Sequence, residues 1–183
     1  VRSIVKLVDS EKINEKSLKN FDGLILTPGF GKRGTDGMIK TAIFAMRQKT
    51  PFLGICFGAQ LAAVAFAREV MGWHDANSTE IDPNTKCPVV DLLPEQRYID
   101  GLGGTMRLGG LEITIVSGTR LFNIYGRNSV RERFRHRYHI IWDYAEKMSK
   151  AGFRVNAVDA FERIAAFELD WHPFFIGVQF HPE

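Results

Sequence analysis

The chain is poor in cysteine, in net charge and in long apolar runs. Only two of its 183 residues are cysteines, Cys56 and Cys87, so the sequence offers no disulfide framework. Neither cysteine stands in a Cys/His spacing typical of zinc sites, and we expect no metal ion here. Lysine and arginine number 24 against 21 acidic residues, and this net charge of +3 is too small to indicate a nucleic-acid partner.

Signals for membranes and export are also missing from the sequence. It contains no run of about 18 apolar residues, no signal-peptide pattern and no lipidation motif. These absences predict a soluble, cytoplasmic protein that has no membrane partner.

Glycine is frequent, but the glycine-rich segments do not form nucleotide-binding motifs. The segment Gly101-Leu102-Gly103-Gly104 would begin a dinucleotide fingerprint only if a glycine stood at position 106, where the chain has Met106. No Gly-Lys-Ser or Gly-Lys-Thr sequence closes a phosphate loop. We therefore expect no cofactor in this domain.

Apolar segments typical of strands alternate with segments that have helical spacing. The predicted strands are residues 4–8, 23–26, 52–55, 111–115, 153–159, 165–169 and 174–180, and the predicted helices are residues 37–48 and 142–151. This order predicts one α/β domain over residues 1–183, with a mainly parallel central sheet and helices on both faces. Functional residues of such sheets gather at the carboxyl ends of strands, which here are Leu26, Ile55 and Phe180.

The segment Gly54-Ile55-Cys56-Phe57-Gly58 has the pattern of a nucleophile elbow, a sharp turn between a strand and a helix. Glycines on both sides of Cys56 lack the Cβ atoms that would clash in so tight a turn. The sulfur would then lie at the N-terminus of the helix, where unpaired N–H groups favour a thiolate over a thiol. The alternative is an ordinary buried thiol at the end of an apolar strand.

A cysteine nucleophile needs a base, and the end of the chain offers His181. The proline after it forces the chain out of the preceding apolar strand, so the imidazole is presented at a strand end. Glu183 follows two residues later and could orient the ring as the third member of a triad. A second His-Pro pair, His172-Pro173, precedes the strand and has no carboxylate after it, so we favour His181.

An arginine-rich segment covers residues 127–139. It carries five arginines and a single acid, Glu132, with aromatic residues between them. If the segment is a strand, positions 131, 133, 135 and 137 share one face. That face is either a nucleic-acid patch or a solvated edge, and the nearly neutral charge of the chain favours the edge.

The elbow and the His-Pro-Glu ending together resemble the class I glutamine amidotransferases. Further segments narrow the resemblance to the glutaminase domain of CTP synthases, over essentially the whole chain. These segments are residues 28–37, Asn77-Ser78-Thr79-Glu80, Gly103-Gly104-Thr105-Met106-Arg107-Leu108-Gly109 and Arg133-Phe134-Arg135-His136-Arg137-Tyr138.

The resemblance implies a three-layer α/β/α fold and a hydrolytic mechanism. In that mechanism Cys56 attacks the side-chain amide of L-glutamine, His181 protonates the departing ammonia and Glu183 orients His181. Glu80 matches the residue that holds the substrate ammonium, and Arg137 matches the one that holds its carboxylate. The other positions that match the glutamine pocket are Gly29, Phe57, Gly58, Ala59 and Gln60.

The resemblance also implies regulation and partners. Arg33, Gly34 and Asp36 match a lid loop that responds to GTP, an allosteric activator, although Asp36 replaces the usual glutamate. The chain would begin at the second strand of the family domain, without the first strand and its helix. An amidoligase domain of the same polypeptide would bind UTP, ATP and magnesium, and the full enzyme would be a homo-oligomer.

One departure from the family pattern leaves other functions open. Pro28 replaces the first glycine of a Gly-Gly pair, and proline has no N–H to donate to an oxyanion. We expect the N–H groups of Gly29 and Phe57 to form the oxyanion hole instead. The alternatives are an amidotransferase subunit of another synthase, a stand-alone γ-glutamyl hydrolase, and a non-catalytic interaction domain.

Overall fold

The computed structural model describes residues 3–97 and 106–183. Its α-helices are α1 (Glu15–Leu18), α2 (Thr35–Gln48), α3 (Phe57–Glu69), α4 (Arg120–Tyr125) and α5 (Trp142–Ser149). Its strands are β1 (Leu24–Leu26), β2 (Phe52–Ile55), β3 (Ala76–Ser78), β4 (Cys87–Leu92), β5 (Arg107–Ile115), β6 (Ser129–His136), β7 (Tyr138–Ile140), β8 (Phe153–Asp159), β9 (Ile164–Leu169) and β10 (Phe175–Val178). Short 3-10 helices cover Ser10–Lys12 and Pro94–Gln96.

The central sheet has seven strands in the order β1-β2-β10-β9-β8-β5-β6. The pairs β1–β2 and β2–β10 are parallel, and the other four pairs are antiparallel. The prediction of a mainly parallel sheet is therefore wrong. Only four residues join β8 to β9 and five join β9 to β10, which is too few for the crossover that a parallel pair requires.

The strand predicted for residues 4–8 is absent, since residues 3–9 form neither helix nor strand. The side chains of Ile4 and Leu7 are 94% and 89% exposed. β-branched residues favour a strand only where a neighbour accepts their hydrogen bonds and covers one face. Among the described residues no strand pairs with this segment, so the strand propensity of its side chains does not produce a strand.

Helices cover both faces of the sheet, as predicted. On one face α3 packs against β2 and β10, and α2 packs against α3 and β1. The residues of α3 from Phe57 to Ala67 are all buried between these layers. On the other face Leu121 and Phe122 of α4 join a second apolar cluster with Ile115 and Val178. No helix within residues 3–97 and 106–183 is long and apolar enough to span a membrane.

The three parallel strands end at the same edge of the sheet. Leu26 of β1 pairs with Gly54 of β2, and Ile55 of β2 pairs with Val178 of β10. The segments that leave these strands therefore emerge side by side. They carry Pro28 and Gly29, Cys56, and His181, so the topology brings the predicted site residues together.

Candidate active site

The turn at Cys56 is a strained strand-to-helix elbow. Cys56 lies between β2 and α3 with φ 51° and ψ −105°, a conformation that non-glycine residues rarely adopt. A Cβ added at Gly58 would lie 2.3 Å from the carbonyl oxygen of Leu26, and one at Gly54 would lie 2.9 Å from the nitrogen of Ala59. Glycine is therefore required on both sides of the cysteine, and the prediction of an elbow is confirmed.

The sulfur of Cys56 is buried and contacts polar groups of two residues that are distant in the chain. The thiol donates to the carbonyl of Arg135 at 3.7 Å, and the side-chain amide of Gln179 donates to the sulfur at 3.6 Å. Burial raises the pKa of Cys56 to about 11, although hydrogen bonds from the Phe57 N–H and the Gln179 amide oppose this rise. Burial therefore opposes the thiolate that the helix N-terminus would favour.

His181 and Glu183 form a hydrogen-bonded pair. The ring Nδ1 lies 2.8 Å from Glu183 Oε1, and the backbone N–H of His181 donates to the carbonyl of Arg133 at 2.8 Å. The His181 bond and the charge of Arg133 bring the pKa of Glu183 below its ordinary value, although partial burial works against them. Because a carboxylate accepts the Nδ1 proton, Nε2 carries the basic lone pair. Nε2 is buried and has no hydrogen-bond partner among residues 3–97 and 106–183.

His172 is a structural residue by comparison. It is buried, its Nε2 lies 3.0 Å from the carbonyl of Ala45, and its Nδ1 accepts from the N–H of Phe174. Both ring nitrogens are therefore engaged in joining α2 to the turn before β10. The geometry agrees with the choice of His181 as the histidine of the site.

A cavity of about 650 Å³ lies at this edge of the sheet. Seven of the sequence-predicted site residues line it: Gly29, Cys56, Phe57, Gln60, Glu80, Arg137 and His181. The described residues that line it and that the sequence analysis did not assign to a site are Phe30, Met106, Arg135, His136 and Tyr138. All five lie in the segments that carry the family resemblance and could have been included on that basis, although Phe30 is 87% exposed.

Glu80 and Arg137 both line this cavity and interact as opposite charges. Glu80 follows β3, and its carboxylate accepts the N–H of Gly31 at 2.9 Å. Partial burial raises the pKa of Glu80, while this hydrogen bond and the positive charge of Arg137 limit the rise. A half-buried acid and a nearby guanidinium are suited to a zwitterionic ligand.

Gln60 lies within the first turn of α3, and its side chain is buried. Its amide nitrogen donates one hydrogen to the carbonyl of Tyr138 at 2.8 Å and the other to Gln179 Oε1 at 3.0 Å. Both donors are thus engaged inside the protein. Toward a ligand Gln60 can only accept a hydrogen bond through its oxygen.

Gly58 and Ala59 are absent from the described lining of the cavity. Gly58 packs against the end of β1, and the N–H of Ala59 donates to the Cys56 carbonyl at 3.1 Å. Their direct contact with a ligand is not supported, because in the folded chain both residues build the turn that holds Cys56.

The three predicted lid residues lie beside α2 and outside the described cavity lining. Arg33 forms an exposed ion pair with Glu11 at 3.0 Å, and Gly34 adopts φ 72° as the N-cap of α2. Asp36 lies in the first turn of α2, which begins at Thr35 and not at the predicted Gly37. Asp36 therefore belongs to the helix, and its negative charge is favourable there because it lies at the helix N-terminus.

The arginine-rich segment forms an edge strand. Arg131, Arg133 and Arg135 are exposed on one face of β6, and Phe134 and His136 are buried on the other. This alternation confirms the shared face, although Arg137 follows the end of β6. The motif that begins at Gly103 lies outside the described residues as far as position 105.

A comparison with known families decides the assignment. The family model for glutamine amidotransferase class-I matches residues 1–183. The chain belongs to this family. The amidotransferase is 49% identical to a CTP synthase of Archaeoglobus fulgidus over 96% of its length, and 48% identical to one of Thermococcus kodakarensis over 98%. It spans 33% and 34% of those relatives, about a third of their length.

A solved structure extends the comparison to the fold. The glutaminase domain of Trypanosoma brucei CTPS with bound acivicin superposes on the amidotransferase with a TM-score of 0.90 and 35% sequence identity. The match covers 100% of this chain and 74% of the other. The predicted class I glutamine amidotransferase fold is confirmed, and within that family the chain matches the glutaminase domain of CTP synthases.

Proposed function

We propose that this chain hydrolyses L-glutamine at Cys56 and that the ammonia serves the amination of UTP to CTP. The observation that carries the proposal is one shared cavity. Cys56 in its elbow and His181 line the same space as the opposite charges of Glu80 and Arg137. A nucleophile, a base and a clamp for an amino-acid head group are what glutamine hydrolysis needs.

In this proposal the substrate is held by its head group. The Glu80 carboxylate binds the ammonium, and the Arg137 guanidinium binds the carboxylate in a two-pronged contact. The side-chain amide then extends toward Cys56, and the Gln60 oxygen is available to accept a hydrogen bond. The Trypanosoma brucei glutaminase domain was solved with bound acivicin, a glutamine analogue, and this supports glutamine as the ligand proposed here.

In the proposed mechanism, His181 first accepts a proton from Cys56 and then gives it to the leaving nitrogen. The Cys56 thiol gives its proton to His181 Nε2, and the sulfur forms a bond to the amide carbon of glutamine. When the tetrahedral intermediate collapses, His181 returns the proton to the leaving nitrogen, and ammonia departs. Water, deprotonated by the same nitrogen, then cleaves the γ-glutamyl thioester to give glutamate and the free thiol. Glu183 stabilises the imidazolium in both steps.

The negative oxygen of the intermediate requires N–H donors. We assign this role to the N–H groups of Gly29 and Phe57, which belong to two cavity-lining residues. A Cβ at Gly29 would lie 3.3 Å from the Phe57 ring, so the two residues are adjacent. Pro28 also lines the cavity and can donate nothing.

The remaining parts of the proposal concern the larger enzyme. An amidoligase domain would bind UTP, ATP and magnesium, while this domain would need no cofactor. GTP would act through the segment of Arg33, Gly34 and Asp36, and the enzyme would be a cytoplasmic homo-oligomer. The support is the match to CTP synthases about three times the length of this chain.

The test uses the full-length synthase with Cys56→Ser and the matched variant Cys87→Ser. We expect Cys56→Ser to abolish glutamine-dependent CTP formation and to leave ammonia-dependent formation intact. Cys87→Ser should retain both, because Cys87 lies in β4 away from the cavity. Persistent glutamine-dependent synthesis in Cys56→Ser would contradict the proposal. Rapid glutamine hydrolysis by this chain alone, indifferent to GTP, would favour a stand-alone hydrolase.

A further inference from the structure

A buried glutamine next to the nucleophile has no role in the proposed mechanism. We propose that Gln179 is a catalytic residue that donates a hydrogen bond to the Cys56 sulfur and stabilises its thiolate, and that Gln60 is a positioning residue that holds Gln179 in the donating orientation. The inference rests on the proposed role of Cys56 as the nucleophile. It is carried by the geometry of three side chains and one backbone carbonyl.

Gln179 is placed beside the sulfur by the sheet. It directly follows β10, its backbone N–H donates to the carbonyl of Ala165 at 2.8 Å, and its side chain is only 3% exposed. Its Nε2 lies 3.6 Å from Cys56 Sγ, within the range of a hydrogen bond to sulfur.

The orientation of the Gln179 amide follows from its neighbours. The carbonyl of Tyr138 can only accept, so the group of Gln60 that lies 2.8 Å from it must be the NH₂ group. The second hydrogen of that NH₂ group points at Gln179, 3.0 Å away, and so the facing atom of Gln179 must be its oxygen. The NH₂ group of Gln179 is then directed at the sulfur, which removes the ambiguity of an amide flip.

The Arg135 carbonyl and the Gln179 amide respond oppositely when the sulfur loses its proton. The Arg135 carbonyl accepts from the thiol at 3.7 Å and becomes repulsive toward a thiolate. The Gln179 amide is a donor in both states, and its bond strengthens when the acceptor becomes charged. Gln179 therefore favours transfer of the proton to His181. It counteracts the burial that raises the pKa of Cys56.

The network also links the nucleophile to the substrate clamp. Arg135 and Tyr138, whose carbonyls contact Cys56 and Gln60, lie on the two sides of Arg137 in the sequence. A ligand on Arg137 thus binds to the same short segment that anchors the amide pair. This segment fixes the orientation of the Gln179 amide indirectly, because the Tyr138 carbonyl orients Gln60 and Gln60 orients Gln179.

The test measures the reactivity of the sulfur without glutamine. Iodoacetamide, a small uncharged electrophile, alkylates the chain between pH 7 and pH 10, and mass spectrometry follows the modification of Cys56 and Cys87 separately. The variants are Gln179→Met and Gln179→Glu, which remove the donor at similar side-chain length. Gln48→Glu is the matched control, because it makes the same chemical change at an exposed residue. Thermal melting reports whether each variant folds.

We expect both Gln179 variants to slow alkylation of Cys56 about tenfold at a fixed pH below its pKa, as for a rise of about one pKa unit. Gln60→Met should also slow alkylation of Cys56, but by a smaller factor, because the Gln179 amide stays present and is only free to rotate. Alkylation of Cys87 and the behaviour of Gln48→Glu should not change. A structural role alone would alter melting but not the dependence of the Cys56 rate on pH.

The decisive variant is Gln179→Met, since it introduces no charge and retains the length of the side chain. A folded Gln179→Met protein whose Cys56 reacts at the wild-type rate throughout the pH range would overturn the inference. If Gln179→Glu loses the native fold, Gln179→Met and Gln60→Met decide the matter. Slowed alkylation of Cys56 in the Gln179 variants, together with a full-length wild-type enzyme that does not hydrolyse glutamine, would support the contact of Gln179 with the sulfur and contradict the proposed function, so the two failures are distinguishable.

Discussion

Replacing Glu80 by glutamine should weaken glutamine binding without disturbing the nucleophile. The amide side chain has the shape of the carboxylate and can still accept the Gly31 N–H, which Glu80 accepts at 2.9 Å. The loop after Gly29 should therefore keep its place. What is lost is the negative charge that we assign to the substrate ammonium.

The burial of Glu80 sets the size of the effect. Exposed ion pairs contribute about 0.2–1 kcal/mol, and breaking a buried pair costs about 3–5 kcal/mol. Glu80 is partly buried and already interacts with Arg137, so an intermediate cost of roughly 2–3 kcal/mol is expected. That corresponds to a loss of about 30- to 150-fold in kcat/KM, mainly through KM. Because burial raises the pKa of Glu80, its charge and the wild-type kcat/KM should be lost as the pH falls, before an ordinary glutamate would be protonated.

The assay compares Glu80→Gln with wild type in glutamine hydrolysis and in alkylation of Cys56 by iodoacetamide. Alkylation should stay within about twofold of wild type, because this electrophile has no head group and the interaction of Glu80 with the sulfur is only a minor contribution. Glu15→Gln, the same change at an exposed residue of α1, should leave both reactions unchanged. Unchanged glutamine kinetics in Glu80→Gln would refute the assignment of Glu80 to the ammonium.

Three further predictions concern the elbow, the oxyanion hole and the isolated chain. Gly58→Ala should lower the free energy of unfolding by roughly 1–3 kcal/mol, because the added Cβ would lie 2.3 Å from the Leu26 carbonyl oxygen. Thermal melting measures the effect. Gly23→Ala is the control, because a Cβ there would make only ordinary contacts, the nearest at 3.6 Å. Pro28→Gly should change kcat by less than about tenfold, and a gain of about 100-fold would show that the natural chain lacks a donor. The chain alone should be a weak glutaminase whose turnover rises with the amidoligase domain and GTP, whereas GTP-indifferent activity would contradict the lid proposal.

The elbow could be predicted because its cause is local. Cys56 is forced into its turn by glycines one and two positions away, and the strand and helix on either side have strong patterns of their own. His181 was found for a similar reason, since the following proline ends the strand. The carboxyl ends of β1, β2 and β10 then converge as parallel neighbours must.

Strand direction could not be predicted from the same patterns. All six residues of β9 are buried and five of them are apolar, with Glu168 the exception, so this antiparallel strand resembles the strands of a parallel sheet, which are buried on both faces. Only the length of its connections reveals the direction. The predicted strand at residues 4–8 failed for the opposite reason, because pairing depends on a neighbour that no local pattern supplies.

Local sequence patterns also could not predict how strongly the folded protein buries the Cys56 thiol. The helix N-terminus that favours a thiolate is visible in the sequence, but the burial that raises the pKa of Cys56 arises from distant segments. Gln179 was missed because its partners are 119 and 123 residues away in the chain. Its position two residues before His181 was the available signal.

The central claim is that Cys56 carries the γ-glutamyl group during turnover. The most direct measurement mixes the full-length enzyme with glutamine, ATP, UTP and GTP, stops the reaction with acid during steady state and determines the mass of the Cys56 peptide. We predict a fraction of that peptide heavier by one γ-glutamyl group, lost on treatment with hydroxylamine, and absent from the Cys87 peptide and from Cys56→Ser. Turnover with no adduct on Cys56, or with the adduct on another residue, would contradict the account.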